Sequence, residues 1–274
     1  MLPIRERRTS IDRRKNDETV AAELATAFAR GQIEVLYQPQ FSCDDDRLVG
    51  AEALARWNHP LRGQIGAEAM FALAGRAGMS ERLTRHVATC ALGDAADWAP
   101  HLTLSLNVTA ADIAAPDFAE ALTTIVDKLS FSPGRLTLEL TEHALVRDIE
   151  GSVCQLNRLA AEGMRLALDD FGAGFCNFGY LKVLPLHYLK LDRSMVEGIV
   201  SGPRDLAILR AIVAMAGALD IAVIAEGIER TAQLAAVRAE GCAFYQGFLR
   251  ARPMDAQTFA AFARDQETGT AAIG

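Results

Sequence analysis

Short apolar, β-rich runs alternate with longer helical stretches along nearly the whole chain, and this alternation constrains the fold more than any other feature. Ile33 to Gln38, Leu48 to Ala55, Leu102 to Asn107, Leu136 to Leu140, Arg165 to Asp169, Tyr188 to Leu191, Ile221 to Ala225 and Cys242 to Gln246 read as strands. Between them, Met70 to Gly75, Glu81 to Trp98, Asp117 to Leu129, Gly151 to Glu162, Pro203 to Leu219 and Arg230 to Glu240 read as helices. Strands separated by helices run parallel, because each helix carries the chain back to the starting edge. Eight of them in one unit of roughly 250 residues predict closure into an α/β barrel. The first two are joined only by the polar turn Asp44 to Arg47, too short for a helical crossover, so the barrel is expected to begin with an antiparallel strand.

Residues 1 to 18 carry mixed charge and almost no periodic apolar residues, which predicts a solvated linker. From Thr19 onward Val20, Leu24 and Phe28 recur at helical spacing and Gly31 supplies a stop, so the folded domain is expected over 19–268, with a short tail at 269–274. With 28 basic against 35 acidic side chains there is no general cationic field for duplex DNA or RNA. The five cysteines, at 43, 90, 154, 176 and 242, form no C-x-x-C pair and argue against a disulfide scaffold or zinc ribbon. The longest apolar run, Ala211 to Leu219, is far short of the ~20 residues of a bilayer span. Arg5, Arg7, Arg8, Asp12, Arg13, Arg14 and Lys15 occupy the place of a secretory signal's apolar region, so a cytoplasmic protein without membrane contact is expected.

Polar residues fall at or just past the strands: Glu52, Asn107, Glu139 with Glu142, Asp169 with Asp170, Lys190, Glu226 and Gln246. Asn107 to Glu139 spans 32 residues and Glu139 to Asp169 another 30, while Asp170 to Lys190 and Glu226 to Gln246 are 20 each, all lengths of βα units. If each residue ends its strand, all converge on the C-terminal mouth of the barrel, where such folds place their chemistry. Carboxylates crowded there repel one another unless protonated or neutralised. Divalent cations resolve the conflict, and a set of hard oxygen donors without cysteine or histidine suits Mg²⁺ or Mn²⁺ over zinc. The adjacent Asp169 and Asp170 suit two ions in the arrangement that drives phosphoryl hydrolysis, with Lys190 a cation beside water or phosphate.

Each residue has a plainer alternative. A lone Asp or Glu at a strand end is usually a helix cap or a solvated charge, and only the set taken together points to a site. Lys190 in YLKLD reads alternatively as a snorkelling surface lysine, with Asp192 on the same strand face. Gly172 and Gly174 are turn glycines by default, no histidine falls in a metal or triad pattern, and Trp57 and Trp98 read as packing residues.

EALARW at Glu52 to Trp57 resembles the signature of the EAL-domain cyclic di-GMP phosphodiesterases. YQPQ at Tyr37 to Gln40, SLNVT at Ser105 to Thr109, LELTE at Leu138 to Glu142, DDFGAG at Asp169 to Gly174, KLD at Lys190 to Asp192, AEGIE at Ala225 to Glu229 and QGF at Gln246 to Phe248 resemble that family's other blocks, in order, over roughly residues 20 to 265. The resemblance implies a modified TIM (β/α)₈ barrel that hydrolyses cyclic di-GMP to linear pGpG with two Mg²⁺ or Mn²⁺ ions and a metal-activated water. It implies metal ligation by Glu52, Asn107, Glu139, Asp169, Asp170 and Glu226, and catalytic roles for Lys190 and Gln246 as well as for Glu52 and Glu226. Arg56 is implied as the phosphate-binding arginine, and Gln38 and Leu54 as contacts to a guanine. Glu142 resembles the glutamate that braces the loop after the fifth strand. That loop departs from the family pattern at Ala173, Phe175, Cys176 and Asn177, which puts dimer-dependent regulation in question more than basic competence. A homodimer and an upstream GGDEF or sensory domain are further implications of the resemblance. Two other readings stand beside hydrolysis of cyclic di-GMP: a silent receptor that binds it and signals to a protein partner, and a barrel hydrolase acting on another phosphodiester.

Overall fold

The computed structural model describes residues 4–141, 149–173 and 178–269, with side chains from Asp17 onward. Nine strands form one sheet: β1 (Ile33–Ser42), β2 (Leu48–His59), β3 (Gly63–Gly66), β4 (Thr103–Asn107), β5 (Leu136–Thr141), β6 (Arg165–Phe171), β7 (Tyr188–Leu191), β8 (Ala222–Ala225) and β9 (Phe244–Gln246). Their order is β1-β9-β8-β7-β6-β5-β4-β2-β3, and β1 also pairs with β2, so all but β3 close an eight-stranded barrel. From β2 through β4 to β9 the barrel strands run parallel, whereas β1 is antiparallel to both neighbours, as the short connection from Cys43 to Arg47 requires. The short β3 continues the sheet beyond the barrel, pairing with the end of β2 from Arg56↔Gly66 to His59↔Gly63.

The helices are α1 (Ile4–Ala29), α2 (Ala67–Arg76), α3 (Ser80–Ala95), α4 (Ala110–Ala114), α5 (Phe118–Lys128), α6 (Ile149–Ala161), α7 (Phe178–Val183), α8 (Arg193–Glu197), α9 (Pro203–Gly217), α10 (Thr231–Ala239) and α11 (Ala256–Glu267). The longer helices present apolar residues to the barrel: Leu83, Val87, Ala91 and Leu92 on α3, and Leu122 and Val126 on α5, are buried. Alternation does the rest. In β2 the odd residues Ala51, Ala53, Ala55 and Trp57 pack beneath the helices, leaving Gly50, Glu52, Leu54 and Arg56 on the other face. Tyr37 of β1 likewise packs outward, edge-on to Trp98 and beside Phe259, which places Gln38 and Gln40 on the barrel side.

Helical backbone runs from Ile4 to Ala29, through the expected domain start at Thr19, although its first part carries no apolar stripe. Asp192 does not extend β7: it caps α8, its carboxylate accepting from the Ser194 amide at 2.9 Å. No described helix is long and apolar enough to cross a membrane.

Candidate functional site

Lys190 of β7 is 1% exposed and stands at the centre of the barrel mouth. Its Nζ lies 2.5 Å from Glu139 Oε2 on β5, 2.8 Å from Glu226 Oε1 just past β8, 3.1 Å from Asp169 Oδ1 on β6 and 3.2 Å from Glu52 Oε2 on β2. An ammonium has three protons to donate, so four carboxylates at this range share it. Two amides complete the ring. Asn107 Nδ2 donates to Glu52 Oε1 at 2.8 Å, and Gln246 Nε2 donates to both Glu52 Oε2 and Glu226 Oε1 at 2.8 Å. The convergence expected from the strand ends is therefore present.

Asp170 reaches this group through a local irregularity. Strict alternation would send adjacent residues of a strand to opposite faces. Here the β6–β7 register slips between Leu168 and Phe171, and Asp170 has φ 55°, in the left-handed region that aspartate tolerates better than most residues. The bulge lets both carboxylates approach the mouth, and carboxylate oxygens of Asp169, Asp170 and Glu226 lie within 4.8 Å of one another. A second group with the same spacing comprises Glu52, Glu139 and Asp169, so Asp169 belongs to both.

The electrostatics follow from burial and from one central cation. Burial opposes the charged form of Lys190, but Asp169, Glu139, Glu226 and Glu52 outweigh it and hold the ammonium's pKa well above the ordinary lysine value. Burial raises Glu139 well above the carboxylate range, with Glu52 adding to the effect. It also pushes Glu226 up to about 8, against the pull of Lys190. For Glu52, burial is overcome by Lys190 and by the Gln246 and Asn107 amides, and the pKa falls below its usual value. Asp170 is raised by burial and by Asp169 beside it.

These residues fit divalent cations. Glu139 Oε1 is buried without a hydrogen-bond partner, an arrangement that is costly unless a cation faces it. With all five carboxylates ionised, one ammonium leaves four negative charges, the charge of two divalent ions. Every candidate donor is a hard oxygen.

Of the expected substrate contacts, Gln38 is the register partner of Glu52 across β1–β2, while Leu54 and Arg56 follow Glu52 at alternate positions of the same β2 face. Arg56 is half-buried, and its Nη1 donates to the Ala55 carbonyl at 2.9 Å. Glu142, Gly174, Phe175, Cys176 and Asn177 lie outside the described residues. Sequence reasoning missed Gln40, which is 4% exposed and whose Nε2 donates to Gln246 Oε1 at 3.1 Å. The available signal was its position two residues after Gln38, on the same face of β1.

Comparison with known proteins places this geometry in context. The model of the EAL domain matches residues 21–253. The cyclic di-GMP phosphodiesterase NbdA of Pseudomonas aeruginosa is 35% identical over 246 residues, covering 88% of this chain and 31% of NbdA. Among solved structures, the EAL enzyme Bd1971 in its cAMP- and cyclic-di-GMP-bound form superposes with a TM-score of 0.85 at 28% identity, covering 93% of this chain and 70% of that one. The PaMucR phosphodiesterase in complex with c-di-GMP superposes with a TM-score of 0.82 at 32% identity, covering 88% and 99%. The chain spans about a third of the length of several curated relatives, 31% in the case of NbdA. The barrel with its reversed first strand, the acidic mouth around Lys190 and a family match over most of the sequence agree, and the chain belongs to the EAL domain family.

Proposed function

We propose that this domain is a metal-dependent phosphodiesterase that hydrolyses cyclic di-GMP to linear pGpG, using two Mg²⁺ or Mn²⁺ ions. One observation carries most of the weight: two clusters of carboxylates share Asp169, and the buried Glu139 Oε1 in one of them has no partner of its own. Glu52, Glu139 and Asp169, with the Asn107 carbonyl, would hold one ion, and Asp169, Asp170 and Glu226 the other. Ions held there supply charge for the phosphoryl transition state and lower the pKa of water towards neutrality.

The chain's own residues supply the remainder. Lys190, held as an ammonium by the carboxylates around it, would orient water or a phosphoryl oxygen by donating from Nζ. Gln246 holds the Glu52 and Glu226 carboxylates in one relative orientation through a single amide nitrogen. Arg56, on the same face of β2 as Glu52, offers a planar fork suited to the phosphate that is not cut. Leu54, next along the same face, and Gln38, opposite Glu52 on β1, would contact a guanine. The names of NbdA and PaMucR, both phosphodiesterases, support this choice of activity, and the second is described in complex with c-di-GMP.

The test is incubation of purified protein with cyclic di-GMP in Mg²⁺, Mn²⁺ or EDTA, with chromatographic separation of products and Glu52→Ala as control. Metal-dependent pGpG that disappears in the variant is expected. Tight binding without product would overturn hydrolysis in favour of a receptor. Comparable turnover of linear dinucleotides or aryl phosphodiesters would overturn the choice of substrate.

A further inference from the structure

We infer that Gln40 is a positioning residue that sets the orientation of the Gln246 amide and, through it, the spacing of the Glu52 and Glu226 carboxylates. The inference rests on the phosphodiesterase reading of the mouth and adds a residue to it.

Gln246 has two ends with opposite demands. Its Nε2 lies 2.8 Å from Glu52 Oε2 and 2.8 Å from Glu226 Oε1, and carboxylate oxygens only accept while those groups are ionised. The nitrogen must therefore face the mouth, and Oε1 must face away from it. Facing away means facing the barrel interior, where Gln246 is 5% exposed and an unpaired carbonyl oxygen would be costly. Gln40 Nε2 meets that oxygen at 3.1 Å. A flipped Gln246 would set its amide nitrogen against that of Gln40 and its oxygen against two carboxylates, so one donor below locks the geometry above.

The backbone brings the two side chains into register. Gln40 pairs with Gln246 on β9 and with Gly50 on β2. Gly50 contributes no side chain, and a Cβ added there would stand 2.3 Å from the Thr103 carbonyl oxygen. Below Gln40 the interior is partly open: a cavity of about 220 Å³ has the polar side chains of Thr103, Ser105, Thr137 and Arg165 in its lining beside the apolar Val49 and Ile224. Water in that cavity can reach a shortened side chain at position 40, and this decides which substitution is informative.

Gln40→Ala opens a path by which water donates to Gln246 Oε1. Gln40→Met keeps the length and the apolar stem, excludes that water and donates nothing. A positioning role therefore predicts that Met is worse than Ala, with kcat lowered roughly tenfold by Met, KM changed less than about twofold, and Mn²⁺ affinity weakened roughly tenfold. A packing role predicts the reverse order, because truncation of a buried side chain costs more than a swap that conserves volume. The experiment measures kcat, KM and Mn²⁺ affinity for both variants in the native and Gln246→Ala backgrounds. Expected is a Met effect that collapses to less than about twofold once Gln246 is gone, as required if Gln40 acts through it. An equal Met effect in both backgrounds, or Ala worse than Met, overturns the inference. The native protein's turnover tests the phosphodiesterase reading separately, and the Mn²⁺ titration reports on Gln40 even if turnover of cyclic di-GMP is absent.

Discussion

Replacing Lys190 by methionine removes the ammonium at the centre of the mouth while preserving most of its volume. Four carboxylates lie 2.5 to 3.2 Å from Nζ in the native protein. At 3 Å and an effective dielectric constant near 20, each ionised pair is worth about 5 kcal/mol, yet the sum is never realised, because carboxylates left behind take up protons instead. Loss of one partner from a buried ion pair costs about 3–5 kcal/mol, and at ~2–4 °C per kcal/mol for a domain near this size the metal-free variant should melt about 6–20 °C below the native protein. The deficit should grow between pH 5.5 and pH 8, since protonation relieves the stranded carboxylates at the acid end. Divalent cations replace the missing charge, so the rise in Tm on adding Mn²⁺ should be larger for Lys190→Met than for the native protein, while hydrolysis stays abolished. Thermal denaturation followed by circular dichroism in EDTA and in Mn²⁺, at both pH values, reads all of this. Equal melting temperatures in EDTA, or an equal metal-induced rise in the two proteins, would refute the placement of Lys190 as the mouth's internal counter-ion.

Arg56→Ala should raise KM for cyclic di-GMP by tenfold or more with kcat largely retained, since truncation removes uniform binding; steady-state kinetics showing the opposite split would contradict a phosphate contact. Gly50→Ala should cost about 1–3 kcal/mol, because the new Cβ meets the backbone oxygen of Thr103, and an unchanged urea midpoint would show that the strand gives way freely. In EDTA, stability should fall as pH rises from the ordinary glutamate range towards about 8: Glu226 binds its proton more tightly when folded, so the native state holds more protons than the unfolded chain in that window. For the same reason Mn²⁺ binding at pH 7 should release protons, detectable by calorimetry in buffers of different ionisation enthalpy, and a buffer-independent heat would count against ligation by Glu226.

Much of the barrel was legible because its strands are short apolar runs with turns between them, and strand ends have few places to go in a closed sheet. β1 and β2 exceed their expected lengths by four residues each, since Pro39 and the polar Arg56, Asn58 and His59 interrupt the apolar signal without interrupting the pairing. β3 was missed because two glycines in four residues leave no alternation to read, and its pairing is dictated by β2 rather than by its own sequence. At the mouth, Glu52, Asn107, Glu139, Asp169, Lys190, Glu226 and Gln246 are gathered as their spacing suggested. How Asp169 and Asp170 both arrive there was not legible, because a bulge and one left-handed residue contradict the period of two. Gln40 was not legible for a different reason: its partner lies 206 positions away, and its place on the Gln38 face of β1 does not say which residue it meets.

The reversal of β1 also decides on which side the chain enters the barrel. Ile33 stands opposite Trp57, beyond Glu52 in the direction of the mouth, and the Asn58 amide is held by the carbonyl of Gln32 at 2.8 Å. In a regular barrel the first strand is fed in from the opposite end, the one concerned with stability rather than chemistry. Here α1, anchored by the buried Val20, Leu24 and Ala27, hands over to β1 on the reaction side, a few residues from Gln38 and level with Arg56. The rim that would grip the nucleotide is thus also the point of attachment for the N-terminal helix.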